Sequence, residues 1–71
     1  MKRVSLESSV IATAGYDPGT AVLELEFTTG EVYRYYAVPP SIHRALMAAR
    51  SAGGFFAERI RDVYPTELLR S

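Results

Sequence analysis

The chain contains no cysteine, carries no net charge, and nowhere runs apolar for the roughly 20 residues that a membrane helix needs. Without cysteine there is no disulfide, no thiolate chemistry and no Cys-ligated zinc, so the packed core is the evident source of stability. The first residues, MKRVSLESSV, have two basic side chains with no apolar run behind them, so no leader or membrane span is expected and the cytoplasm is the expected compartment. Eight basic side chains balance eight acidic ones: residues 1–40 hold three basic against five acidic, and residues 41–71 five against three. A protein built to grip duplex DNA or RNA needs a basic stripe, because phosphate neutralisation supplies most of its affinity; that class is disfavoured.

What is present fits one small domain. A chain of 71 residues buries only about 60% of the surface its unfolded form exposes, so nearly every large apolar side chain is needed in the core. Residues 9–16 and 21–27 alternate as strands around Asp17-Pro18-Gly19-Thr20, where proline presets φ and glycine permits a positive one. Thr28-Thr29-Gly30 leads into a third strand near residues 31–37, and Val38-Pro39-Pro40 ends sheet pairing because proline has no N–H to donate. From Pro40 the period becomes helical. Ile42, Ala45, Leu46 and Ala49 mark one helix, Ser51-Ala52-Gly53-Gly54 breaks it, and Phe56, Ile60, Val63 and Tyr64 mark a second that Pro65 ends. The expected fold is α+β, a three-stranded antiparallel meander followed by two helices packed on one sheet face.

The stretch VYRYYAVPP (residues 32–40) places three tyrosines around Arg34. With Gly30 left-handed in a three-residue loop, Phe27 faces Glu31, Leu25 faces Tyr33 and Leu23 faces Tyr35, so Tyr33 and Tyr35 point into the core. The opposite face then sets Glu24 against Arg34, Val22 against Tyr36 and Glu26 against Val32. A register one residue tighter would bury Arg34 beside Leu25, at several kcal/mol, and is rejected. In the first hairpin, a two-residue loop puts Ala14 opposite Leu23, a three-residue loop puts Ile11 opposite Leu25, and a bulge at Gly15 would let both sets contribute.

Arg34 and Tyr36 share the outer sheet face and are candidate contacts for a base and a phosphate; a solvated sheet face is the plainer alternative. Phe55, off the Phe56 and Ile60 face, and Arg61 form a second candidate patch, weighed against a solvated helix surface interleaved with Glu58 and Asp62. His43 is the only histidine and falls at the edge of an apolar stripe, which suits a boundary side chain better than a base or metal ligand. Glu24 and Glu26 read as solubilising charges. No nucleophile elbow or phosphate loop is present, so an enzyme and a cofactor are not expected.

The ordered set of G-Y-D at 15–17, Y-R-Y at 33–35, V-P at 38–39 and S-x-G-x-F-F-x-x-x-I-R-x-x-Y-P from Ser51 to Pro65 resembles the KTSC family, over about residues 8–66. That family is named for a domain at the C-terminus of some lysyl-tRNA synthetases and also occurs as small free-standing bacterial and phage-type proteins. Its central Y-x-Y corresponds to Tyr33 and Tyr35. The resemblance implies an accessory module, with RNA binding suggested by the synthetase context. The expected function is therefore a non-catalytic binding module for RNA or single-stranded nucleic acid, bound weakly. A protein-interaction or self-association module is the alternative, drawing on the neutral charge and free sheet edges.

Overall fold

Gly30 has φ 98°, the left-handed conformation that the Thr28–Gly30 loop requires of it. The Phe27 N–H donates to the Glu31 carbonyl at 2.8 Å, and the Gly30 N–H to the Phe27 carbonyl at 2.9 Å. From this closure the ladder runs Glu26↔Val32, Leu25↔Tyr33, Glu24↔Arg34 and Leu23↔Tyr35, the register expected from the side-chain pattern. It stops there: Ala37 takes φ 59° and turns the chain, so Val22 and Tyr36 do not pair as expected. On its other edge Val22 pairs with Asp17, and the Tyr36 N–H donates to the Pro65 carbonyl at 2.9 Å.

The computed structural model describes every residue from Met1 to Ser71. Its elements are β1 (Arg3–Ser5), β2 (Ile11–Asp17), β3 (Val22–Phe27), β4 (Val32–Tyr35), α1 (Pro40–Ala48), α2 (Ala52–Arg59) and β5 (Thr66–Arg70). The strands lie in chain order in one sheet, each antiparallel to the next. The α+β class holds, but the sheet has five strands where three were expected. Both additions are short edge strands, exposed throughout. Neither shows the alternation that marks a half-buried strand, and β5 contains an irregularity at Leu69, the residue that breaks its pairing with Val32 and Tyr33.

Two details of the first half and two of the second also differ from expectation. The β2–β3 connection has four residues, Pro18 to Ala21, with the Asp17 carboxylate accepting the Gly19 N–H at 2.9 Å and Ala21 at φ 58°. The irregularity in β2 falls between Ile11 and Thr13 rather than at Gly15, which sets Ile11 opposite Phe27 and Ala14 opposite Leu25. Gly53 and Gly54 lie in the first turn of α2 rather than between the helices, because the Ser51 hydroxyl caps that turn by accepting the Gly54 N–H at 3.0 Å. Gly53 is small for a reason: a Cβ there would stand 2.9 Å from a Val10 methyl. α2 stops at Arg59, where the Ile60 and Arg61 N–H groups both reach the Phe56 carbonyl, and Val63 is left 59% exposed instead of lying on an apolar face.

Both helices pack on one face of the sheet. Leu23, Leu25 and Tyr35 from the strands meet Leu46, Phe56 and Ile60 from the helical half in one cluster. Fully burying each such side chain stabilises the fold by roughly 1.5–3 kcal/mol. No helix is long and apolar enough to cross a membrane.

Candidate binding site

Because side chains alternate along a strand, the register defines rows that run across all five strands. On the outer face one row reads Arg3, Gly15, Glu24, Arg34, Glu67. Gly15 has no side chain, and Arg3 reaches across β2 over it to donate from Nε to Glu24 Oε2 at 2.7 Å. From the other side Arg34 Nε donates to Glu24 Oε1 at 2.9 Å. Glu24 is thus held from both sides and only 7% exposed, so it is a buried ion-pair centre and not the solubilising charge its strand pattern suggested. Burial alone would push its carboxyl up; the hydrogen bonds and charges of Arg34 and Arg3 outweigh that and hold it below the ordinary glutamate value. The neighbouring row carries Thr13, Glu26, Val32 and Arg70, with Glu26 accepting from Thr13 at 3.2 Å and from Arg70 at 3.2 Å. Tyr36 donates its hydroxyl hydrogen to Glu67 at 2.5 Å.

The inner rows are different in kind. Val4, Ala14, Leu25, Tyr33 and Leu68 form one, and Tyr16, Leu23, Tyr35 and Thr66 the next. The helices cover their middle. Tyr35 is 4% exposed, and burial pushes its hydroxyl up, whereas Tyr33 is only half-buried and Leu68 is 48% exposed. Tyr33 therefore packs against the core as expected but also lines an opening at its edge. Between β4 and the end of α2 lies a groove of about 340 Å³ whose floor is Phe27, Tyr33, Tyr35 and Phe56 and whose rim holds Glu31, Arg61 and Asp62.

The sequence-derived candidates fall on two sides of the molecule. Arg34 and Tyr36 share the outer face, both engaged with glutamates. Arg61 stands at the groove, but Phe55 is not among the groove's lining residues: it packs against the core and carries Arg59 over its ring, 5.7 Å from the centroid. Phe55 lies within α2, whereas Arg61 follows its C-terminal cap at Ile60. His43 stacks on Tyr16 with ring centroids 4.7 Å apart, and Tyr16 donates to the Val38 carbonyl at 2.6 Å. Burial, aided by Arg44, holds the imidazole below its ordinary value, as a boundary histidine requires. Sequence reasoning missed Phe27, Glu31 and Asp62 at the groove; the signal available was the pairing of Phe27 with the Y-x-Y strand.

The family model of the KTSC domain matches residues 7–64. This chain belongs to the KTSC family. Its fold agrees with that of a KTSC domain protein from Yersinia pestis at a TM-score of 0.93 and 34% identity, covering 96% of each chain. An uncharacterized protein of Stutzerimonas stutzeri is 52% identical over 56 residues, 79% of each chain. A lysine–tRNA ligase of Nostoc punctiforme is 40% identical over 63 residues, which is 89% of this KTSC domain and 11% of the ligase. The same domain thus occurs as a small protein and as a minor part of a synthetase.

Proposed function

We propose that this KTSC domain is a non-catalytic, cytoplasmic accessory module that binds a polypeptide partner in the groove between β4 and the end of α2. The observation that carries this is the groove itself: Tyr33 stands only partly buried beside Phe27 on the part of the inner sheet face that the helices leave open. Aromatic side chains in an accessible concave site are what interfaces use as anchors. Polypeptide is favoured over nucleic acid because Arg3, Arg34 and Arg70 already have glutamate partners, and the groove rim carries Glu31 and Asp62 against one arginine. A phosphate backbone would have to break the first and approach the second. A benzophenone side chain placed at residue 33 should give nuclease-resistant, protease-sensitive adducts on irradiation in cells, and more of them than the same group at residue 36. Nuclease-sensitive adducts, or equal yields at both positions, would overturn the proposal.

Weak binding of single-stranded RNA on the outer face is the second reading, favoured by the match within lysine–tRNA ligases. On that reading, short RNA at low salt should shift the amides of residues 32–38 at affinities no better than roughly micromolar, with a shallow salt dependence, and Arg34→Ala should weaken it without unfolding the domain.

A further inference from the structure

We propose that the groove takes the cationic end of a lysine or arginine side chain presented by a basic segment of the partner. This builds on the groove as the partner site and adds the chemical class of what enters it. The four floor rings close a circuit. Phe27 lies 5.7 Å from Tyr33, Tyr33 lies 6.4 Å from Tyr35, Tyr35 lies 5.6 Å from Phe56, and Phe56 lies 5.2 Å from Phe27, centroid to centroid. Three of these contacts are steeply inclined, at 79°, 75° and 65°; Tyr35 and Phe56 are buried beneath, and Phe27 and Tyr33, only partly buried, are the rings that a ligand can reach. A ring face carries the negative end of its quadrupole and attracts a cation within about 6 Å of its centroid.

An apolar side chain would fit the same walls, and the rim decides between the two. Two carboxylates, Glu31 and Asp62, stand there against the single guanidinium of Arg61, which itself lies 3.8 Å from Asp62. With Asp62 paired to Arg61, Glu31 leaves the mouth an excess of one negative charge, which favours a cation over a carboxylate or phosphate. At about 340 Å³ the groove is near the lower end of ligand-pocket sizes, suited to one side chain rather than to a large ligand. Nearby, Arg59 over Phe55 is an internal example of the same pairing.

The test compares choline with its uncharged carbon isostere, in which a quaternary carbon replaces the nitrogen, each titrated into the full chain and followed by amide shifts. Choline should move the amides around Phe27, Tyr33 and Asp62 with an affinity of about millimolar, as expected for so few atoms. The isostere should bind at least about threefold more weakly. Asp62→Asn and Glu31→Gln should each weaken choline about two- to threefold, an effect that added salt removes. Tyr33→Leu keeps bulk but loses the ring face and should weaken it about two- to fivefold; should that variant unfold, the rim variants decide. Equal binding of choline and isostere, rim variants indistinguishable from the parent, or no binding of choline would each overturn the cation chemistry. The crosslinks at residue 33 answer the other question: their presence with a failed choline test keeps the groove as partner site and discards only its preference for positive charge.

Discussion

The two faces of this sheet are built from the same five strands, often from adjacent residues, yet they close in opposite ways. On the outer face the row from Arg3 to Glu67 satisfies itself, charge against charge, with Glu24 shielded between two arginines. One residue further along, the row from Val4 to Leu68 needs a cover, and the helices supply it only over the middle. The face with aromatic and basic side chains in view is thus internally committed, and the face built as a core retains an opening. Exposure of a charge does not make it available; incomplete burial of a ring does.

That contrast can be broken experimentally, most sharply at the Y-x-Y pair. Tyr35→Ala should lose about 3–5 kcal/mol in thermal or urea unfolding, while Tyr33→Ala, only partly buried at the groove, should lose less, about 1–2 kcal/mol. Equal losses would mean that the groove is closed in solution. On the outer face, Glu24→Gln keeps the shape but leaves Arg3 and Arg34 facing a neutral amide, with an expected loss of about 1–2 kcal/mol. The same residue sets an acid limit. Its folded value lies below the ordinary 4.5, so the unfolded chain binds the proton more readily. The ion pair's contribution is full above that value and is lost as pH falls through the folded one. Acidification across that range should lower the melting temperature of the parent more than that of Glu24→Gln; parallel curves would remove Glu24 from the account. Arg70→Ala should change stability least, by under about 0.5 kcal/mol, since its side chain is 60% exposed where it meets Glu26. A loss as large as that of Glu24→Gln would extend the buried network to the sheet edge.

The middle of the fold was legible in the sequence because parity is unforgiving there: with Gly30 in the loop, one register alone kept Arg34 away from Leu25. The same parity correctly set Glu24 against Arg34. It could not report how deep Glu24 sits, since that depth depends on Arg3 arriving over Gly15 from a strand of three residues that lacks any periodic signal. The edges were illegible for the same reason: Thr66–Arg70 is exposed along its whole length, so no apolar period was required of it. The groove was harder still. Its floor combines Phe27, the Y-x-Y pair and Phe56, each of which reads from sequence as core; Tyr35 and Phe56 are core, and α2 ends at Arg59 with Phe27 and Tyr33 only partly buried.

β5 joins its neighbour only after the chain has passed through both helices, and every one of its residues is exposed. Burying so little, it is held by its ladder to β4 and by the Tyr36–Glu67 and Thr66–Arg34 hydrogen bonds rather than by the core. Its amides should exchange with solvent through openings that leave β2, β3 and β4 paired. Thr66 borders the groove and Leu68 lies beside Tyr33, so each such excursion removes one wall and bares more of the ring. The aperture of the groove is then a thermally averaged quantity, and a partner segment able to lie beside β5 would act as a clasp, slowing that exchange in proportion to its occupancy.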